Sequence, residues 1–181
     1  MLFPLIASYL CCFSKCKTTN YIKIKAIVTP DNVNFLGRSC FESCSGMISI
    51  KLPRNLNEIR MQLLSSCDKI ESLEIPDKVT TIGQEAFEGC YKLAQVTIPS
   101  GLTAIGNSAF EYCKVLASIE LPVGITKIRD SLFSSCYQLS SVTMHGEVTI
   151  IGNDAFSSCN NPPSISFKGT VLFRQLLYLQ T

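Results

Sequence analysis

The sequence predicts a repeat solenoid, a coil of short parallel strands and short helical turns, and three columns of residues carry that expectation. Cys44, Cys67, Cys90, Cys113, Cys136 and Cys159 recur every 23 residues. Pro53, Pro76, Pro99 and Pro122 keep the same period and extend back to Pro30, with His145 standing where the next proline is due. Phe41, Phe87, Phe110, Phe133 and Phe156 do likewise, with Leu64 in the one gap. A fixed period of this length is the signature of a repeat array, because one unit cannot bury its apolar face alone and neighbours must cover each other. The composition agrees: 181 residues, 46% apolar and 17% charged, describe a chain that folds rather than a disordered one. A net charge of +2 provides no electrostatic footprint for nucleic acid. The single histidine rules out a three-histidine metal site or a two-histidine zinc helix within the chain.

The chain divides into an N-terminal cap or targeting segment (1–20), a solenoid of about six 23-residue repeats (21–171) and a C-terminal cap (172–181). The first segment begins MLFPLIASYLCCF and has its first cation at Lys15, on the wrong side of the apolar run for a secretory signal. It is too short for a membrane span of about 20 residues, and membrane association is left open. Within one repeat, Ala86, Phe87, Cys90 and Leu93 fall at i, i+1, i+4 and i+7, the stripe of a short helical segment. Asn107, Asp130 and Asn153 precede that segment in their repeats, where a short polar side chain can cap free N–H groups. Val96 and Ile98 then alternate with Gln95 and Thr97, as in a half-buried strand, and Pro99 ends it. Val79 and Ile82 suggest a second short extended segment. Beyond the repeats, Leu172, Phe173, Leu176 and Leu177 have helical spacing and read as a cover for the open end of the coil.

The segments IPDKVTTIGQEAFEGCYKLAQVTIP and IPSGLTAIGNSAFEYCKVLASIELP resemble the BspA-like leucine-rich repeats, whose pattern is close to L-x-x-I-x-I-P-x-x-V-T-x-I-G-x-x-A-F-x-x-C. The register holds over five cysteine-to-cysteine intervals. Arg60 and Arg129 replace the glycine of the Ile-Gly pair, and Leu63 and Leu132 replace the alanine. The resemblance implies a leucine-rich-repeat-like right-handed coil. It also implies a surface antigen type of protein, at the cell surface or secreted and linked to adhesion, although cytoplasmic members are similar too.

The ladder cysteines read as small buried hydrophobes with free thiols, since parallel inward side chains do not aim their sulfurs at each other. One thiol per turn does not make a zinc site, and no cofactor is expected; only Cys11, Cys12 and Cys16 form a cluster, and Cys40 takes the place of the alanine. His145 has no acid or nucleophile placed beside it by spacing, so an enzyme is not expected. The outward strand residues instead define a face: Ser49 and Lys51, Ser72 and Glu74, Gln95 and Thr97, Ser118 and Glu120, Ser141 and Thr143, Ser164 and Ser166. Lys51, Glu74, Gln95, Thr97, Glu120 and Thr143 are the candidate binding residues, for a protein or glycan partner such as a host surface or extracellular matrix component. The alternative is an intracellular interaction scaffold, or a truncated repeat copy, whose buried thiols the cytosol would keep reduced.

Overall fold

The computed structural model of the chain describes residues 25–160, 163–168 and 172–173. The expectations for 1–20, including Cys11, Cys12 and Cys16, and for 174–181 lie outside the described residues. The described chain is a parallel β-solenoid. Its strands are β1 (Ala26–Val28), β2 (Ser49–Lys51), β3 (Glu58–Ile59), β4 (Ser72–Glu74), β5 (Thr81–Ile82), β6 (Gln95–Thr97), β7 (Ala104–Ile105), β8 (Ser118–Leu121), β9 (Lys127–Ile128), β10 (Ser141–Glu147), β11 (Ile150–Ile151), β12 (Ser164–Lys168) and β13 (Leu172–Phe173). β1, β2, β4, β6, β8, β10 and β12 form one face; β3, β5, β7, β9, β11 and β13 form a second. Paired strands are in register at the repeat length, as in Ser72 opposite Gln95, Leu73 opposite Val96 and Glu74 opposite Thr97. Leu172 and Phe173, whose spacing is helical in sequence, pair as a strand with Ile150 and Ile151.

The expected helical turns are not helices. Ala86, Phe87, Cys90 and Leu93 are buried as the stripe requires, but Glu85 and Gly89 have φ of 55° and 68°, and the equivalents in other coils, such as Ser108, Tyr112, Ser131 and Ser135, are also positive. A helix cannot contain left-handed residues four apart. The backbone instead makes linked tight turns whose N–H groups divide their partners: Glu88 donates to Glu85 and Cys90 to Phe87 within the turn, while Glu85, Phe87 and Gly89 donate to Asn107, Ala109 and Glu111 of the next coil. Capping differs accordingly. The carboxylate of Asp130 accepts from the N–H of Asn153, one coil on, at 2.9 Å.

The core is a set of columns along the axis. Phe87, Phe110, Phe133 and Phe156 stack with ring centroids 5.2, 5.7 and 5.6 Å apart. The prolines do more than end strands, since the carbonyls of Pro30, Pro53, Pro76, Pro99 and Pro122 each accept an N–H from three residues on. Where His145 replaces proline the backbone keeps its donor, and β10 runs on for seven residues.

Glycine sets how closely the coils approach. A Cβ on Gly83 would lie 2.5 Å from the Met61 nitrogen, one on Gly106 2.5 Å from the Gln84 nitrogen, and one on Gly152 2.6 Å from the Asp130 nitrogen. No side chain fits there. Arg60 and Arg129 occupy this column in their own coils, and they coincide with the places where the second-face ladder starts afresh: β3 pairs only with β5, and β9 pairs with β11 but not β7. Between β7 and β9 the first face is interrupted as well, because β6 pairs with β4 and β8 with β10. That junction is held on the turn side, where Ser108, Phe110 and Tyr112 donate to Asp130, Leu132 and Ser134 at 2.9–3.1 Å.

Candidate functional site

The first face presents its residues by simple alternation. Each three-residue core of a strand turns its middle side chain inward and the flanking pair outward, as in Leu73 between Ser72 and Glu74 or Ile119 between Ser118 and Glu120. Lys51, Glu74, Gln95, Thr97 and Glu120 are exposed, and Thr143 is half-buried. The six are spread over five strands, β2 to β10, rather than gathered at one point. Register brings Glu74 beside Thr97 and Glu120 beside Thr143. Gln95, Thr97 and Glu120 come together around a cleft of about 330 Å³ between β6 and β8, lined also by Ala94, Val96, Ile98, Ser118 and Ile119. Val96 and Ile98 are only half-buried there, whereas Leu73, Ile75, Ile119 and Leu121 at the equivalent positions are buried.

His145 also belongs to this face. Its Nε2 lies 3.6 Å from a carboxylate oxygen of Glu120, an ion pair only when the imidazole is protonated. It lies within β10, and the signal for a strand position there is the missing proline.

The ladder cysteines point inward, and their thiols have partners. Cys67 donates to the Phe41 carbonyl at 3.1 Å, Cys90 to Leu64 at 3.3 Å, Cys113 to Phe87 at 3.4 Å, Cys136 to Phe110 at 3.1 Å and Cys159 to Phe133 at 3.4 Å. Those five are free, while Cys44 is disulfide-bonded, contrary to the expectation of free thiols throughout the ladder. Burial pushes the Cys67 thiol up from 9.0 to about 12 and the less buried Cys159 to about 11; Cys90, Cys113 and Cys136 are raised by the same cause. A protonated, enclosed thiol is neither nucleophile nor ligand. Among the described residues, no group of three or more His, Cys, Asp and Glu side chains is placed to hold a metal ion, and no helix is long and apolar enough to cross a membrane.

Exposed aromatic residues lie on the turn side, away from the strand columns. Tyr91, Tyr112 and Tyr137 are exposed there, and the Lys114 ammonium sits 4.2 Å from the Tyr91 ring centre and 5.9 Å from that of Tyr137. Tyr91, Lys114 and Tyr137 share one repeat column, so this grouping was visible in sequence. Nearby, burial and then the charges of Glu85, Glu111 and Glu42 raise the Glu88 carboxyl above the ordinary range.

A family model described as BspA type leucine rich repeat region (6 copies) matches residues 10–115 and 80–174. Among solved structures, a leucine-rich repeat protein from Bacteroides ovatus is 33% identical with a TM-score of 0.71; the match covers 74% of this chain and 34% of that one. The T. pallidum leucine-rich repeat protein is 26% identical with a TM-score of 0.59, covering 72% and 73% of the two chains. A leucine-rich repeat protein from Eubacterium ventriosum, 21% identical with a TM-score of 0.58 and covering 82% and 43%, shares the fold. The chain thus spans about a third of the length of the Bacteroides ovatus protein. No curated protein matches the sequence.

Proposed function

The chain belongs to the BspA type leucine-rich repeat family, and from that premise we propose that it is a non-catalytic recognition module, surface-associated or secreted, that engages a protein or glycan partner across its strand face. The observation that carries this reading is the row of exposed polar side chains, Lys51, Glu74, Gln95, Thr97 and Glu120, repeated from coil to coil on one face of the solenoid, with Glu74 and Thr97 in register. Among the described residues no single coil offers an exposed aromatic anchor on this face, so useful affinity comes from contacts summed over several coils. The resemblance of the repeats to those of surface and secreted adhesion proteins supports the location. The lack of an assembled acid, base and nucleophile in the sequence supports a non-catalytic role. The free buried thiols of Cys67, Cys90, Cys113 and Cys136 suit a second reading, an intracellular scaffold, because the cytosol keeps such thiols reduced.

The test is binding to an array of extracellular matrix proteins and host-type glycans. Glu74→Lys with Glu120→Lys reverses the acidic members of the face; Lys69→Glu with Lys92→Glu reverses exposed charges on the turn side and serves as control. Glu85 is unsuitable as a control because its carboxylate accepts from Gln62 and Gln84 at 2.7 and 2.6 Å. The strand-face pair is expected to lose binding and the control to keep it. Loss in the control alone moves the site to the turn side.

A further inference from the structure

We propose that the open junction between β6 and β8 is an anchor pocket for an arginine side chain of a protein partner. This rests on the strand-face reading and names where on that face the anchor lies.

The junction differs from its neighbours in three ways that converge. β6 and β8 are not hydrogen-bonded to each other, and neither are β7 and β9, so this is the one described junction where both ladders stop. Val96 and Ile98 leave apolar surface uncovered, where the same positions in adjacent coils are closed. A cleft of about 330 Å³ results, with Glu120 at its rim. On the second face of the same coils, Arg129 brings a Cβ into the column where Gly83, Gly106 and Gly152 allow backbone contact, and there β9 leaves β7 unpaired.

The lining sets the chemistry. Strand edges released from a ladder present backbone carbonyls and N–H groups that call for partners. Val96, Ile98 and Ile119 supply an apolar wall, and Glu120 supplies the charge. A guanidinium on an apolar stem answers all three: the methylenes cover Val96 and Ile98, while the planar group donates to the Glu120 carboxylate and to strand-edge carbonyls. Arginine is also a preferred anchor in protein interfaces. A sugar ring has no cation for Glu120.

The probe is n-butylguanidinium chloride, titrated at constant ionic strength into the full chain and followed by amide NMR shifts. Saturable shifts are expected over residues 94–98 and 118–120, with a dissociation constant on the order of 10 mM for so small a ligand. Glu120→Gln is expected to weaken binding about fivefold, as a charged acceptor becomes neutral. Ser118→Lys, at an exposed position of the cleft lining, places a competing cation beside Glu120 and is expected to abolish the shifts. An unchanged titration in Ser118→Lys, or equal shifts with n-butanol, overturns the pocket. Shifts spread evenly to Glu74 also overturn it but leave a strand-face contact standing, since that reading is judged by array binding of the Glu74 and Glu120 reversals.

Discussion

At the five ladder positions from Cys67 to Cys159 the cysteine is held by a carbonyl as well as by packing, and this explains why a thiol suits a site where alanine would also fit by size. The S–H of Cys113 reaches the Phe87 carbonyl while its stem fills the space behind the ring. Because burial raises these thiols, their protonation is linked to folding. The unfolded chain begins to lose thiol protons near pH 9, whereas folded Cys67 holds its proton to about 12. The stability this linkage contributes is therefore whole below pH 9 and lost as pH rises towards 12. Urea midpoints measured from pH 8 to 11.5 should fall, and fall less steeply in a Cys67→Ala, Cys90→Ala variant. Equal slopes would mean that the buried thiols do not govern the alkaline limb.

Among the elements, the phenylalanine stack is the column that ties coil to coil where the ladders do not. Phe110 packs on Phe87 below and on Phe133 above, across the open junction. Phe110→Ala should cost about 3–5 kcal/mol through lost burial and the cavity left behind, against less than about 0.5 kcal/mol for exposed Glu120→Ala. Equal urea midpoints for the two would contradict the inward and outward assignment. The period, the inward columns and the outward columns were all legible in sequence, because they depend on residue type at fixed spacing. The turns were not. A helical stripe and a chain of tight turns bury the same positions, and only the left-handed residues separate them, most of which are serine, glutamine, glutamate or tyrosine rather than glycine. The Arg60 and Arg129 replacements were visible, but that their column is one of close backbone approach is seen only at Gly83, Gly106 and Gly152.

Over the whole molecule, a solenoid distributes recognition along its length, and a partner meets a surface rather than a pocket. The strand face supplies that surface in the reading advanced here, with the β6–β8 junction as the place among the described coils where both ladders stop. The most direct measurement is hydrogen–deuterium exchange of the full chain with and without the array partner it binds most tightly. The account predicts slowed exchange across β4, β6, β8 and β10 with the turn-side amides of Glu88, Glu111 and Ser134 unchanged. Protection confined to those turn-side amides, or to a single coil, would contradict it.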